Sequence, residues 1–460
     1  MLSTRGLATG VTSRISPIRW SVLTLALPVT LSSLLQRAEG ILAVFLVGGL
    51  GPDSIAAVGL SQLLIFIATT LLAGLSASGT VVIAQLWGAQ RRTDAGIAAT
   101  QLVALGVLAS SLLALTGWLA APTLMRLLGA DPAVVSFATP YVRLMFSILP
   151  MTVSIQVLAS ILQGTGDTRT PALALLLVNL VYGSLAWHLI YGLNGFPAFG
   201  ITAAAFSAGV AECTGLAFLA WRIAPILRRP PQIRWDLLAS AWYVGAPASG
   251  ERVLQQAGIL LYTKLVISYG TVAYAAHQVG LSIEALSFLP GYGFAIAAAS
   301  MVGQSIGAGK YQRAKMENWE ANRQAALMMT AMGFVFFFFP YALLRLFTTD
   351  AAVIALGTSF LQIVALIQIP LALTMVLSGS LRGAGDTRFI MGATFIGMWG
   401  IRLPAAYIAA WVFPGTVVAV WWGMVLDWTV RMLLVLWRFR TERWRHIRLL
   451  DHTPSQSAGR

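Results

Sequence analysis

One eight-residue stretch occurs twice, and its two copies divide the chain into halves. Residues 162–169 read Leu-Gln-Gly-Thr-Gly-Asp-Thr-Arg and residues 381–388 read Leu-Arg-Gly-Ala-Gly-Asp-Thr-Arg, 219 residues apart. In each copy a long apolar run ends at the Gly-x-Gly-Asp-Thr-Arg turn and another begins at once. The two glycines are expected to supply positive φ where one helix stops, and Asp or Thr a side-chain oxygen that caps the next. Pro171 suits an early position in that next helix. The same offset places Pro28 on Pro247, Leu35-Gln36 on Leu254-Gln255, Gln85 on Gln304 and Gly88-Ala89 on Gly307-Ala308. With a two-residue slip, Val58-Gly59-Leu60-Ser61 matches Val279-Gly280-Leu281-Ser282. The chain is two homologous halves in tandem.

Each half is too apolar for water. The sequence is 58% hydrophobic and 10% charged, with a mean hydropathy of +0.78, and its charges are sparse inside runs long enough to span a bilayer as helices. A membrane β-barrel would need short alternating segments instead. The expected fold is an all-α polytopic membrane protein with twelve transmembrane helices. They fall near 18–48, 54–78, 96–121, 134–163, 170–192 and 199–224, then 238–268, 272–302, 318–345, 352–381, 388–412 and 416–440. The corresponding organisation is a cytoplasmic N-terminal segment (1–17), an N-lobe (18–227), a cytoplasmic linker (228–237) around Arg-Arg-Pro-Pro, a C-lobe (238–440) and a cytoplasmic tail (441–460). Six spans per half make the two lobes enter the membrane in the same direction, which leaves a central cleft between them. The single cysteine, Cys213, excludes an intramolecular disulfide.

The net charge of +14 is topological. One set of loops carries Arg91, Arg92, Arg169, Arg222, Arg228, Arg229, Arg234, Lys310, Arg313, Lys315 and Arg388, together with the basic termini. The opposite set (48–54, 126–133, 192–199, 268–272, 345–351, 413–416) has only Arg126 and Arg345. The positive-inside rule puts both termini in the cytoplasm of a cell whose inner membrane holds the protein, with anionic lipid rather than nucleic acid beside the basic loops. No paired metal-ligand motif, nucleophile elbow or cluster of carboxylates at a loop mouth points to an enzyme. Two related lobes that can rock about a cleft point to a transporter of small molecules.

At this level of detail the chain resembles the multidrug and toxic compound extrusion (MATE) transporters of the NorM/DinF type. The resemblance rests on an ordered set of residues: Pro28 with Gln36, Ala56-Ala57-Val58-Gly59, Gln85-x-x-Gly-Ala, the two glycine turns, Pro247 with Glu251, Ala275-Ala276-His277-Gln278, Glu284-x-x-Ser-Phe-Leu-Pro, Gly303-Gln-Ser-Ile-Gly-Ala-Gly and Arg402-Leu-Pro. It covers nearly all of residues 18–445. It implies secondary active efflux of cationic or amphiphilic organic compounds by antiport with Na⁺ or H⁺; a monomer with no cofactor beyond that ion is the expectation. A related exporter or flippase of lipid-linked substrates is the alternative, and it would call for basic residues facing the cleft, such as Arg37, Arg252, Lys264 and Arg402.

Ionisable groups inside spans are expensive and are therefore candidate sites. Glu251, Gln255, Gly258 and Tyr262 share one face of the seventh span, offering a carboxylate, an amide, close approach and a ring. Glu284 follows His277 by seven residues, ahead of a kink expected at Pro290-Gly291. Glu251 and Glu284 are the expected coupling acids and the ligands for Na⁺, if Na⁺ is the ion. The alternative for Glu251 is a pair with a nearby base such as Arg252 or Lys264. Arg402, Asp427 and Arg431 suggest a structural charge network. The N-lobe departs from the family: positions where many relatives carry Asp are Ala43 and Ala186. Glu39, one turn away on the stripe of Ser32 and Gln36, is the substitute candidate, and Glu212 and His188 add titratable groups. Gln36, Asn179, Tyr182, Gln255, Tyr262 and Tyr292 complete the substrate-binding candidates.

Overall fold

The computed structural model describes residues 5–193, 197–227, 233–413, 415–447 and 449–450, with side chains from Pro17 onward. The Arg-Arg-Pro-Pro linker and the end of the tail lie outside the described residues. The first half forms α1 (Arg5–Val47), α2 (Pro52–Gly88), α3 (Arg92–Leu127), α4 (Pro132–Thr165), α5 (Arg169–Tyr191) and α6 (Ile201–Leu227). The second forms α7 (Trp235–Ile267), α8 (Thr271–Gly307), α9 (Tyr311–Phe338), α10 (Pro340–Arg345), α11 (Ala351–Gly383), α12 (Thr387–Phe395), α13 (Leu403–Val412) and α14 (Val417–Arg440).

These are the twelve expected spans with two interruptions. Pro340 cannot continue the ladder of α9, so the ninth span continues as the short α10. Ahead of Pro404 the eleventh span winds as a π-helix over Ile396–Arg402, joining α12 to α13. Among the described residues, ten segments are long and apolar enough to cross a membrane. The exceptions are α7, which carries Glu251, Arg252 and Lys264, and α9, whose first turns carry Arg313, Lys315, Glu317, Glu320 and Arg323. One expectation needs correction. Helix α2 runs on to Gly88, where the sequence suggests an end near 78. Helix α8 runs through Pro290, and a Cβ on Gly291 would meet Met329 Sδ at 2.8 Å and Met375 Sδ at 2.9 Å.

The chain clusters into two compact units, Leu31–Gly245 and Met1–Thr30 with Ala246–Asp451. These differ from lobes drawn at the linker, because α1 and α7 are each shared, dividing close to Pro28 and Pro247. Val22 and Ala26 of α1, both fully buried, sit in the core of the unit built from α8, α9 and α11. A Cβ on Gly293 of α8 would strike Thr30 and meet the Ala26 carbonyl at 2.8 Å. The first half mirrors this: a Cβ on Gly245 of α7 would meet Ser78 Oγ at 2.6 Å and the Gly74 carbonyl of α2 at 2.9 Å. Ser78 also donates to the Ala241 carbonyl at 2.6 Å. Outside the spans, Arg234 binds Asp236 (2.9 and 2.5 Å) and Asp94 (3.3 Å), fastening the start of α7 to α3. The Arg234 guanidinium beside Asp236 holds that carboxyl below the usual carboxylate range. This contribution is present above about pH 4 and is lost as pH falls through the folded value.

The repeated turn owes its two glycines to two different needs. Only the second has positive φ, 94° at Gly166 and 89° at Gly385. The first stays helical and brings backbones together. A Cβ on Gly164 would lie 2.8 Å from the Thr80 carbonyl, and one on Gly383 would strike the Ala299 carbonyl. Gly379 stands one turn before Gly383 against Ala295, so α11 presents Gly-x-x-x-Gly to α8, the small-residue packing that lipid-embedded helices favour. Gly383→Ala should cost about 1–3 kcal/mol by overpacking against a backbone atom that cannot rotate away, readable as a lower melting temperature in detergent. The motif aspartates tie the turns down. Asp167 accepts from Thr170 N (3.0 Å) and Oγ1 (2.6 Å), while Asp386 accepts from Arg438 Nε at 2.6 Å.

Candidate ion and substrate sites

In the Leu31–Gly245 unit, α1 carries Glu39, and α4, α5 and α6 carry Tyr141, Tyr182 and Glu212 within electrostatic reach of it. Glu39 is partly buried and has no hydrogen-bond or ion-pair partner among the described residues. Glu212 is 9% exposed and accepts from Thr152 Oγ1 at 3.0 Å, with no base paired to it among the described residues. Both tyrosines are 3% exposed, and neither hydroxyl has a hydrogen-bond partner among the described residues. Two carboxylates and two phenol oxygens therefore share an apolar setting. Like charges placed so are relieved by a cation or a proton. Ala43 and Ala186 are buried. Of the other candidates here, Gln36 is exposed, and Asn179 donates to the Leu175 carbonyl of its own helix at 2.9 Å.

In the other unit Glu251 is held by a base, though neither of those nearest in sequence. Arg382 Nη2 reaches both carboxylate oxygens at 2.7 Å, and Thr394 Oγ1 adds a bond of 3.2 Å. Glu251, Gln255 and Tyr292 line one cavity together with Arg252, Arg382, Arg431 and Trp428, among others. Asp427, fully buried, lies between Arg402 Nε (2.7 Å) and Arg431 (Nε 2.5 Å, Nη2 2.8 Å). Glu284 is 8% exposed and does not line that cavity; its carboxylate lies within electrostatic reach of Arg402 and has no hydrogen-bond or ion-pair partner among the described residues, while its main-chain carbonyl accepts from Ser287 Oγ at 2.9 Å. Tyr262 turns away from the cavity into the core. It donates to the Val420 carbonyl at 3.1 Å and packs on His277, which Phe360 and Trp421 flank.

Sequence reasoning singled out neither Tyr141 nor the Glu251–Arg382 pair. A signal for the pair existed in the repeat. At the 219-residue offset Glu251 stands on Ser32 and Arg382 on Gln163, so both charges appear in the same half.

The family model described as MatE matches the chain twice, over residues 28–187 and 247–408, starting at the two repeat-equivalent prolines. The chain belongs to the MatE family. A probable multidrug resistance protein NorM of Thermotoga maritima is 29% identical over 434 residues, covering 93% of each chain. Multidrug resistance protein NorM of Burkholderia vietnamiensis is 28% identical over 444 residues, covering 90% of this chain and 92% of its own. Among solved structures, the Vibrio cholerae MATE transporter VcmN in its bent form superposes with a TM-score of 0.87 at 20% identity, over 94% of this chain and 99% of that one. A second MATE structure, in the bent conformation, gives 0.85 at 23% identity over 94% and 98%. The MatE chain described here is thus a multi-pass membrane transporter with the fold of those structures.

Proposed function

We propose that this MatE protein is a secondary active exporter in the inner membrane, both termini cytoplasmic, that moves cationic or amphiphilic organic compounds outward in exchange for Na⁺ or H⁺. The observation that carries the reading is the placement of Glu39 within electrostatic reach of Glu212, two carboxylates in spans with no ion-pair partner among the described residues. Glu251, by contrast, already has its counter-charge in Arg382. An ion taken up between Glu39 and Glu212 neutralises the site and releases substrate on the outer side. Loss of the ion to the cytoplasm restores the charge and the affinity for the next substrate. Each ligand biases the conformational equilibrium by its differential affinity for the two states. Glu284 is the corresponding candidate in the second unit.

The test is uptake of a fluorescent organic cation into inside-out vesicles under an imposed Na⁺ gradient, a proton gradient, or neither. Glu39→Gln and Glu212→Gln should each abolish gradient-driven uptake while the protein still inserts. Driven uptake at the wild-type rate in the double variant would remove the pair from the mechanism.

A further inference from the structure

The cavity beside Glu251 carries the wrong charge for an organic cation. Three arginines line it, Arg252, Arg382 and Arg431, against a single carboxylate, Glu251. That carboxylate is occupied by Arg382. Behind the wall, one acid, Asp427, serves both Arg402 and Arg431. Arg252 stands over the Tyr292 ring, 5.9 Å from its centroid, and has no acidic partner among the described residues. Four guanidinium groups thus face two carboxylates, and counting Glu284 near Arg402 still leaves a positive excess. The remaining lining supplies hydroxyl and amide groups (Thr394, Gln255) beside apolar surfaces (Phe288, Met375, Trp428).

We infer that this cavity is an anion site, which takes the carboxylate, phosphate or sulfonate group of an amphiphile whose apolar body rests on Phe288, Met375 and Trp428. Guanidinium forks suit such planar or tetrahedral oxyanions, and the bonds they form are among the stronger ones in proteins. The inference deepens the exporter reading, since it adds zwitterionic and anionic amphiphiles to the compounds carried. It leaves Glu39 and Glu212 as the ion-coupling pair. It also reverses the expected effect of a substitution. Removing the charge of Glu251 frees Arg382, and anion affinity then rises.

The experiment is calorimetric titration of the full-length protein in phosphatidylcholine nanodiscs with 2-naphthoate, its neutral amide and 2-naphthylmethylammonium. Naphthoate should bind tightest and the ammonium weakest. Arg252→Gln should weaken naphthoate about tenfold or more and leave the amide unchanged, with Arg252→Lys retaining most of the affinity; Arg252 is exposed, so neither change should disturb folding. Glu251→Gln should bind naphthoate more tightly than the parent protein. Equal binding of ammonium and carboxylate, or indifference of naphthoate to Arg252→Gln, overturns the proposal. Nanodiscs containing phosphatidylglycerol distinguish two sources of the anion. Competition there assigns the site to a lipid headgroup, and unaltered naphthoate binding assigns it to a soluble amphiphile. No gradient or transport enters the measurement, so its failure leaves the antiport reading standing, and failure of driven transport leaves the binding result standing.

Discussion

Asp427→Asn should lower the stability of the purified protein by about 3–5 kcal/mol, because it strands two buried guanidinium groups at once. Asp427 is fully buried, and Arg402 and Arg431 are 7% and 3% exposed. Neither arginine has another acid within ion-pair distance among the described residues. Arg402 also ends the π-helical segment, so loss of its partner frees the point where α12 turns into α13. The asparagine keeps the volume, which leaves charge as the variable. Thermal unfolding in detergent reads the effect. Arg402→Met/Asp427→Leu/Arg431→Met should recover much of it, since a buried ionic cluster is often matched by apolar side chains of similar size. An unaltered melting temperature in Asp427→Asn would show that water reaches the cluster.

Glu251→Gln is the second large effect, about 3 kcal/mol or more on the same argument. Its carboxylate has two bonds of 2.7 Å from Arg382, which is anchored on the helix that bears Gly379 and Gly383. The double variant Glu251→Gln/Arg382→Gln should be more stable than Glu251→Gln alone, because the uncompensated cation is gone, and a double-mutant cycle gives the coupling directly. A carboxylate kept free for an ion would behave otherwise. It would lose transport on amidation and keep or gain stability. The two outcomes separate a strut from a coupling acid in one unfolding series.

The spans and the repeat were legible because both are written in local pattern: apolar runs of fixed length, and glycine turns at one offset. The charge partners were not, because helix-face reasoning sees only residues of the same helix. Arg252 and Lys264 are the bases nearest Glu251 along α7, whereas its partner sits 131 residues away on α11. Likewise Tyr262 shares a helix face with Glu251 in projection, yet about three turns of α7 are enough to carry it into the core beneath Val420. Backbone φ accounts for only one glycine of each turn. It captures Gly166 and Gly385 but misses Gly164 and Gly383, whose neighbours come from a different helix. Glu39 and Glu212 were both visible as costly charges, while their proximity depends on how α1 and α6 pack. Local pattern does not encode that.

The sharing of α1 and α7 between the two units bears on the ancestry of the chain and on how it can be cut. Each repeat encodes a unit without the segment that completes it. The first supplies everything from Leu31 to α6 and takes Trp235–Gly245 from the second; the second takes the residues up to Thr30 from the first. A lone ancestral repeat could have closed its core only by trading leading segments with another copy, as swapped dimers do. Fragments produced by severing the connection before Arg234 should accordingly be stable together and unstable apart.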